Sequence, residues 1–154
     1  MKYLPVLFLS LILVFLSSCT NEEISPDDEI KQYIESGKLA AENRSHGDLA
    51  DLISDQYRDH KGLNKKRVKN MARAYFLTHQ NIYLFTKIDS ITFQNKESAF
   101  VVLHVAMAGT AINSLDAINR LSARVYQFEL QLIKNNEWLL QQAKWKPANL
   151  QDIL

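Results

Sequence analysis

The spacing of the apolar residues changes once along this chain, near Asn81, and this change limits the fold more than any other feature. Before Asn81 the apolar residues recur at helical spacing, whereas after it they alternate with a period of two. No helical segment separates the later strands, so the helical crossovers that join parallel strands are missing. The sequence therefore predicts an α+β domain with helices first and an antiparallel sheet after them.

Three helices are predicted in the first half of the chain. The first begins at the N-cap Ser25 and runs to about Asn43, the second covers Asp48 to Ile53, and the third runs from its cap Asn64 through Thr78. Serine and asparagine are preferred caps, and Pro26 suits the first helical position. The third helix has the clearest apolar face, and Tyr57 to Gly62 is predicted as a loop or short extended piece.

Four strands are predicted after the helices, at 82–93, 98–108, 121–134 and 137–146. A one-residue slip in the alternation indicates a β-bulge near Asp89 and Ser90, which bends the first strand. Asn135 and Asn136 suit a tight turn with left-handed residues. The connection from Thr110 to Asn119 carries no clear pattern. The expected fold is a set of N-terminal helices packed on a curved four-stranded antiparallel sheet.

The first 18 residues have the layout of a secretory signal rather than of a domain element. Lys2 is the basic start, Leu4 to Leu16 form a mostly apolar run, and the small residues Ser17 and Ser18 follow it. The apolar run is shorter than the roughly 20 residues that span a bilayer. A cleaved signal peptide at 1–18 is therefore expected, with a retained signal anchor as the alternative.

The stretch Leu16-Ser17-Ser18-Cys19 resembles the lipobox of bacterial lipoproteins, a branched aliphatic residue and two small residues before the lipid-bearing cysteine. This resemblance implies cleavage before Cys19, lipid attachment to that cysteine, and a cell-envelope protein anchored through acyl chains such as palmitate. Residues 19–26 would form the lipidated start and a short tether. Thr20 in place of aspartate favours the outer membrane, facing the periplasm, where enterobacterial sorting rules apply.

Composition limits the remaining 136 residues to one domain of ordinary size. With 47% hydrophobic residues the chain has enough apolar material for a core. Cys19 is the only cysteine, so no disulfide forms within the chain. Removal of Lys2 with the signal leaves 17 basic and 17 acidic side chains, and this neutral balance argues against nucleic-acid binding.

The order of elements resembles the nuclear-transport-factor-2-like superfamily, also called the cystatin-like α+β roll. The similarity covers roughly residues 27 to 146 of the expected domain at 27–154. It is most typical in the stretch from Leu52 to Asp59 and in the hairpin from Phe128 to Trp138. The resemblance implies a curved sheet that wraps around the helices and leaves a conical pocket. Members of the superfamily use this pocket for acid–base catalysis or for binding alone, so the fold leaves function open.

Ketosteroid isomerase-like chemistry needs a carboxylate that moves a proton and acidic donors that stabilise the dienolate oxygen. By resemblance Asp59 matches the carboxylate and Tyr33 the tyrosine donor, but the middle strand offers no second acidic donor. Dehydratase-like chemistry pairs histidine with aspartate, which makes His79 and His104 candidates beside Asp59. For both histidines a structural position, on a helix end and within a strand, is the preferred interpretation.

Candidate pocket residues are those that the resemblance places on the inner faces of helices and strands. They are Tyr57, Asp59, Tyr75, His79, His104, Tyr126 and Phe128. The four histidines show no metal-ligand spacing, and no glycine-rich phosphate loop or nucleophile motif is present, so neither a metal nor a cofactor is predicted. The basic run from Lys65 to Lys69 is interpreted as the solvated start of the third helix.

The sequence leaves three functions open. The first is a membrane-anchored lipoprotein whose roll binds a small apolar ligand or a protein partner without catalysis. The second is an isomerase- or dehydratase-type enzyme that uses Asp59 with a tyrosine or histidine in the pocket. The third is a structural role in which the sheet pairs with that of a second copy to form a homodimer.

Overall fold

The computed structural model describes residues 24–111 and 123–153, and these form three helices, five strands and a C-terminal turn of 3-10 helix. In chain order they are α1 (Pro26–Glu42), α2 (His46–Asp51), β1 (Ile53–Asp59), α3 (Lys65–Thr78), β2 (Tyr83–Asn95), β3 (Ser98–Ala108), β4 (Arg124–Asn135), β5 (Glu137–Pro147) and η1 (Leu150–Asp152). The fold is therefore α+β, as the sequence predicts.

The helix starts follow the predicted caps. The Ser25 hydroxyl accepts from the backbone N–H of Asp28, and Pro26 occupies the first position of α1. The Asn64 side chain accepts from the N–H of Arg67 at 3.0 Å and begins α3. Each cap satisfies one of the backbone donors that a helix start leaves without a partner.

The sheet has five strands of mixed direction, so the predicted four-stranded antiparallel sheet is wrong in strand number and direction. Its order is β1-β5-β4-β3-β2, and β1 runs parallel to β5 at one edge. The predicted second helix ends at Asp51, and Ile53 instead begins β1. The segment from Tyr57 to Gly62, predicted as a loop or a short extended piece, is extended as far as Asp59, and this part belongs to β1. The remaining strand pairs are antiparallel, as predicted.

Local irregularities in the sheet match the sequence pattern. The register of β2 against β3 shifts between Ile88 and Ser90, which is the predicted bulge. Asn136 has a φ of 65°, the left-handed conformation predicted for the turn between β4 and β5. Of the unassigned connection from Thr110 to Asn119, residues 112–119 lie outside the described residues.

The main core lies between α1, β1 and the inner face of the sheet. Its largest buried side chains include Ile30, Tyr57, Val101, Leu132 and Trp138. A smaller cluster covers one end of the outer face, where Ile153 packs on Ala106 and Val125. The chain thus covers part of both faces of its sheet. Burial of these clusters, at about 25 cal/mol per Å² of apolar surface, supplies the main stabilising term.

Candidate functional site

The candidate site is a cavity of about 650 Å³ between α3, α1 and the inner face of the sheet, here called the roll cavity. The apolar face of α3 forms one wall through Val68, Met71, Ala72, Tyr75 and Phe76. None of the residues of α3 is buried, although this helix has the clearest apolar stripe in the sequence. Apart from Val68, which also packs against the main core, the stripe therefore faces an open volume rather than close-packed side chains.

The sheet forms the opposite wall. Alternate residues of β4 point inward, so Tyr126, Phe128 and Leu130 line the cavity, and Leu103 and Val105 of β3 lie beside them. The Tyr75 hydroxyl lies 3.1 Å from Met107 Sδ and joins α3 to the sheet at one end. The predicted pocket residues Tyr75, Tyr126 and Phe128 thus lie in one wall or the other.

Among the described residues that line the roll cavity, Asp59 is the one that carries a carboxylate. It is only 8% exposed. Its Oδ1 accepts two backbone hydrogen bonds, from Lys61 and Leu63, each 2.8 Å long. Its Oδ2 is buried and has no hydrogen-bond partner among the residues that the structure describes. A buried acceptor without a partner is costly, so this oxygen is suited to a donor on a bound molecule.

Two tyrosines lie near Asp59 in the lining, and they differ in what their hydroxyls do. The Tyr33 hydroxyl donates to the carbonyl of Leu52 at 3.0 Å, which fixes α1 to the start of β1. Burial raises the pKa of Tyr33. Burial, followed by the nearby charge of Asp59, also raises the pKa of Tyr57. Both phenols therefore stay protonated in neutral solution, and Tyr33 is already engaged with the backbone.

The structure does not bring His104 into the roll cavity. Its neighbours Leu103 and Val105 line the cavity, so alternation along β3 points His104 to the outer face of the sheet. There it is 6% exposed, and its Nδ1 lies 2.8 Å from Asp89 Oδ2, at an ion-pair distance without an aligned hydrogen bond. His104 and Asp59 thus lie on opposite sides of the sheet.

His79 does not line the cavity either. It follows α3 as its C-cap, is exposed, and stacks on Tyr75 with the ring centroids 3.8 Å apart. Its Nδ1 lies 3.0 Å from the Tyr75 carbonyl oxygen. The pairing of histidine with Asp59 that dehydratase-like chemistry requires is therefore not formed by either predicted histidine.

Sequence reasoning missed several lining residues. Trp145 lines the cavity, and its ring packs nearly perpendicular to that of His60 with the ring centroids 4.4 Å apart. The sequence indicates only that Trp145 is an apolar residue of the last strand. Lys38 and Arg124 are the cationic residues of the lining. Arg124 has the inward phase of Tyr126 and Phe128, so strand alternation extended by one step would have identified it.

The predicted lipid anchor involves residues outside the described ranges. Cys19, the signal at 1–18 and most of the tether lie outside the described residues. Within residues 24–111 and 123–153, no helix is long and apolar enough to cross a membrane. Over the same ranges, no three histidine, cysteine, aspartate or glutamate side chains are grouped to hold a metal ion.

Comparison with known proteins gives matches at the level of structure. No protein-family model matches the sequence, and no curated protein matches it. A candidate scytalone dehydratase from Novosphingobium aromaticivorans superposes with a TM-score of 0.65 at 11% identity, over 79% of this chain and 83% of that one. A dehydratase candidate of the nuclear-transport-factor-2-like family from Streptomyces avermitilis gives 0.63 at 11%, over 79% and 96%.

A third similar structure is that of Bd1075 from Bdellovibrio bacteriovorus, with a TM-score of 0.64 at 12% identity over 79% of this chain. This chain spans 40% of the length of Bd1075. Identities this low establish the fold alone. The chain therefore has the nuclear-transport-factor-2-like, or cystatin-like, α+β fold that the sequence pattern suggested.

Proposed function

We propose that this chain is a lipid-anchored cell-envelope protein whose roll binds a small, largely apolar molecule without converting it. The observation that carries the proposal is the roll cavity of about 650 Å³ beneath a helix with no buried residue. Ligand sites are typically mostly apolar clefts of about 300 to 1,000 Å³ with a few polar groups. An apolar volume left unfilled costs stability, and a bound molecule would remove that cost.

Binding is favoured over catalysis by the state of the polar groups. The Tyr33 hydroxyl is used by the Leu52 carbonyl, and His79 and His104 lie outside the cavity lining. Asp59 Oδ2 has no hydrogen-bond partner among the described residues, and Tyr57 lies close enough for the charge of Asp59 to act on its hydroxyl. Two such groups can orient a ligand, whereas the predicted chemistries require a further donor or a histidine.

The proposed binding can be tested with a neutral fluorescent probe, N-phenyl-1-naphthylamine, on the chain from residue 20, which contains every described element. The probe should bind with a stoichiometry of one and gain fluorescence. Ala72→Phe places a ring in the cavity and should weaken binding about tenfold. Ala74→Phe on the exposed side of the same helix is the matched control. Equal affinity of both variants for the probe would contradict the proposed binding function.

The enzyme function is the second candidate, because Asp59 Oδ2 is buried, lines the cavity and has no partner among the described residues. A carboxylate in an apolar site is suited to general acid–base chemistry. The two dehydratase candidates of similar fold support a test with β-hydroxy carbonyl compounds. In these compounds Asp59 would take the proton from the α carbon, the bond between the β carbon and its hydroxyl would break, and the hydroxide would leave as water with that proton. Turnover that Asp59→Asn abolishes, with probe binding retained, would establish the enzyme. A reaction rate no higher than that in buffer alone would contradict the enzyme function.

The membrane anchor is proposed from Leu16 to Cys19 and from the short distance to the domain. Because α1 already begins at Pro26, the residues between it and Cys19 reach only about 20 to 25 Å when extended. The roll would therefore remain close to the bilayer, where apolar molecules concentrate. An outer-membrane location facing the periplasm is part of the same proposal.

A further inference from the structure

The charged residues of the roll cavity are few and unevenly placed. Arg124 and Lys38 are its cations, and Asp59 is its carboxylate. Lys38 Nζ lies 3.2 Å from Glu35 Oε1 and is neutralised there. Arg124 is exposed and forms no ion pair with any carboxylate of residues 24–111 and 123–153. Arg124 thus offers an available positive charge at the solvent-exposed part of the lining.

The strand register places Arg124 and Asp59 at opposite ends of the cavity. Along β4 the inward residues run from Arg124 to Leu130, a distance of six residues or about 20 Å. Leu130 pairs with Ala143 of β5, and Ala143 pairs with Asp59 of β1. The carboxylate therefore lies at the level of Leu130, far from the guanidinium. The wall between them is apolar and aromatic.

We infer that the roll cavity selects a long apolar molecule with an acidic group at one end and a hydroxyl at the other. The acidic group pairs with Arg124 at the exposed end, and the hydroxyl donates to Asp59 Oδ2 at the buried end. This inference rests on the proposed binding function and adds its ligand class. Guanidinium and carboxylate form strong paired hydrogen bonds, and a buried carboxylate oxygen binds a hydroxyl donor strongly.

The opposite orientation is unfavourable. An acidic group at the buried end would lie against the Asp59 carboxylate, and like charges at a site of low exposure repel strongly. At the exposed end, water solvates the acid while Arg124 holds it. Orientation is therefore set by charge, while the apolar wall supplies affinity along the length of the molecule.

The test is displacement of N-phenyl-1-naphthylamine from the chain starting at residue 20 by four compounds with the same 16-carbon chain, each below its aggregation concentration. They are 16-hydroxyhexadecanoic acid, 16-methoxyhexadecanoic acid, hexadecanoic acid and hexadecan-1-ol. The hydroxy acid should bind most tightly, about tenfold better than the methoxy acid, which cannot donate. The acids should also bind better than the alcohol.

Two variants test which end of the ligand contacts Arg124 and which end contacts Asp59. Arg124→Gln should weaken the three acids about tenfold and leave the alcohol unchanged, whereas Arg73→Gln, an exposed cation outside the lining, should change neither. Asp59→Asn keeps an oxygen for the N–H groups of Lys61 and Leu63 but replaces the acceptor with a donor. It should therefore abolish the preference for hydroxy over methoxy acid.

The possible failures are distinguishable. If neither the probe nor any 16-carbon compound binds, the proposed function itself is wrong. If the probe binds but the alcohol and the acids displace it equally, or Arg124→Gln has no effect, the binding function stands and the inferred ligand class is wrong. Unfolding of a variant is checked by circular dichroism, and Arg124→Lys, which keeps the charge, should then restore most of the acid preference.

Discussion

At the scale of single residues, Glu29 joins the start of α1 to the hairpin of β4 and β5. Its Oε2 accepts from Lys134 Nζ at 2.6 Å and from the Trp138 indole N–H at 2.8 Å. Lys134 also lies over the Trp138 ring, 5.7 Å from its centroid. The hydrogen bond from Lys134, followed by that from Trp138, holds the pKa of Glu29 below its usual range. A residue typical of a helix start thus becomes a tertiary contact.

Glu29→Gln should lower the free energy of unfolding by about 1 kcal/mol at pH 7. Because the folded pKa is depressed, the contribution is present above the unfolded value of 4.5 and is lost as the pH falls through the folded pKa. Urea unfolding at a series of pH values should therefore show the two proteins converging in acid. Asp27→Asn on the same helix, where the described residues form no ion pair with the side chain, is the control for loss of charge, and a difference that persists in acid would contradict the prediction.

The variant Tyr33→Phe tests whether the Tyr33 hydroxyl stabilises the fold or contacts a ligand. Its hydroxyl donates to the Leu52 carbonyl, so its loss should cost about 1 kcal/mol of stability. Probe binding should change less than twofold, because this hydroxyl already donates to a backbone carbonyl. Calorimetric unfolding measures the first effect and fluorescence titration the second. A large loss of binding without loss of stability would show that Tyr33 acts on the ligand.

At the scale of elements, α3 contacts α2 and β1 and packs against the main core through Val68, while the rest of its apolar face lies along the roll cavity. Its start depends on the cap Asn64, and its far end is joined to β3 through Tyr75 and Met107. A helix with few buried contacts opens at low free-energy cost. We therefore expect α3 to be the least protected helix in the absence of ligand.

Asn64→Ala should cost about 1 kcal/mol and should accelerate amide hydrogen exchange within α3 more than elsewhere. Ser25→Ala removes an equivalent cap from α1, where Ile30 and Ile34 are buried, and its effect should be spread over the global unfolding reaction. Exchange measured by mass spectrometry compares the two. Equal, uniform acceleration by both variants would show that α3 unfolds with the rest of the domain.

The strand β1 shows why one element escaped prediction. Only Ile53 and Tyr57 give it large buried apolar side chains, and its register against β5 shifts between Ile53 and Arg58. Its partner lies more than 80 positions later in the sequence, so no local turn marks the pairing. The strand forms because β5 offers an edge and because Leu140 N–H donates to the Leu52 carbonyl at 2.9 Å.

At the scale of the whole molecule, the proposed lipid anchor and the roll domain are formed by separate parts of the chain. The core and the roll cavity are built from residues of the described ranges, whereas Cys19 precedes them. Loss of the lipid should then change location without changing the fold. A homodimer formed by pairing of two sheets, the third function that the sequence leaves open, also concerns the whole molecule. At one end of the outer face of the sheet, Ile153 already covers Ala106 and Val125. Native mass spectrometry would report the oligomer.

Cys19→Ser should abolish incorporation of labelled palmitate and release the protein from the membrane fraction, or leave it uncleaved. The variant should keep the circular dichroism spectrum and probe affinity of the unmodified domain. Thr20→Ser, which keeps the cysteine, is the control and should be lipidated. Palmitate labelling that persists in Cys19→Ser would contradict the lipobox interpretation.

The amino-acid sequence by itself determined the fold class, the helix caps and the bulged β2, because these depend on neighbours within a few residues. Ser25, Asn64 and Asn136 bond or bend their own local backbone, and apolar alternation sets which side of a strand is buried. The sequence also predicted that Asp59 and Tyr57 line the pocket, but this prediction came from the resemblance to the nuclear-transport-factor-2-like superfamily and not from residue spacing.

The tertiary structure alone decided what depends on distant partners. It placed β1 parallel to β5, turned His104 to the outer face, and used the Tyr33 hydroxyl for a backbone carbonyl. It left the apolar stripe of α3 over an open volume, although the same stripe in the sequence predicts a packed helix. Local patterns state that a residue is apolar and which way it points, but the packing of remote elements decides whether it meets a side chain or a cavity.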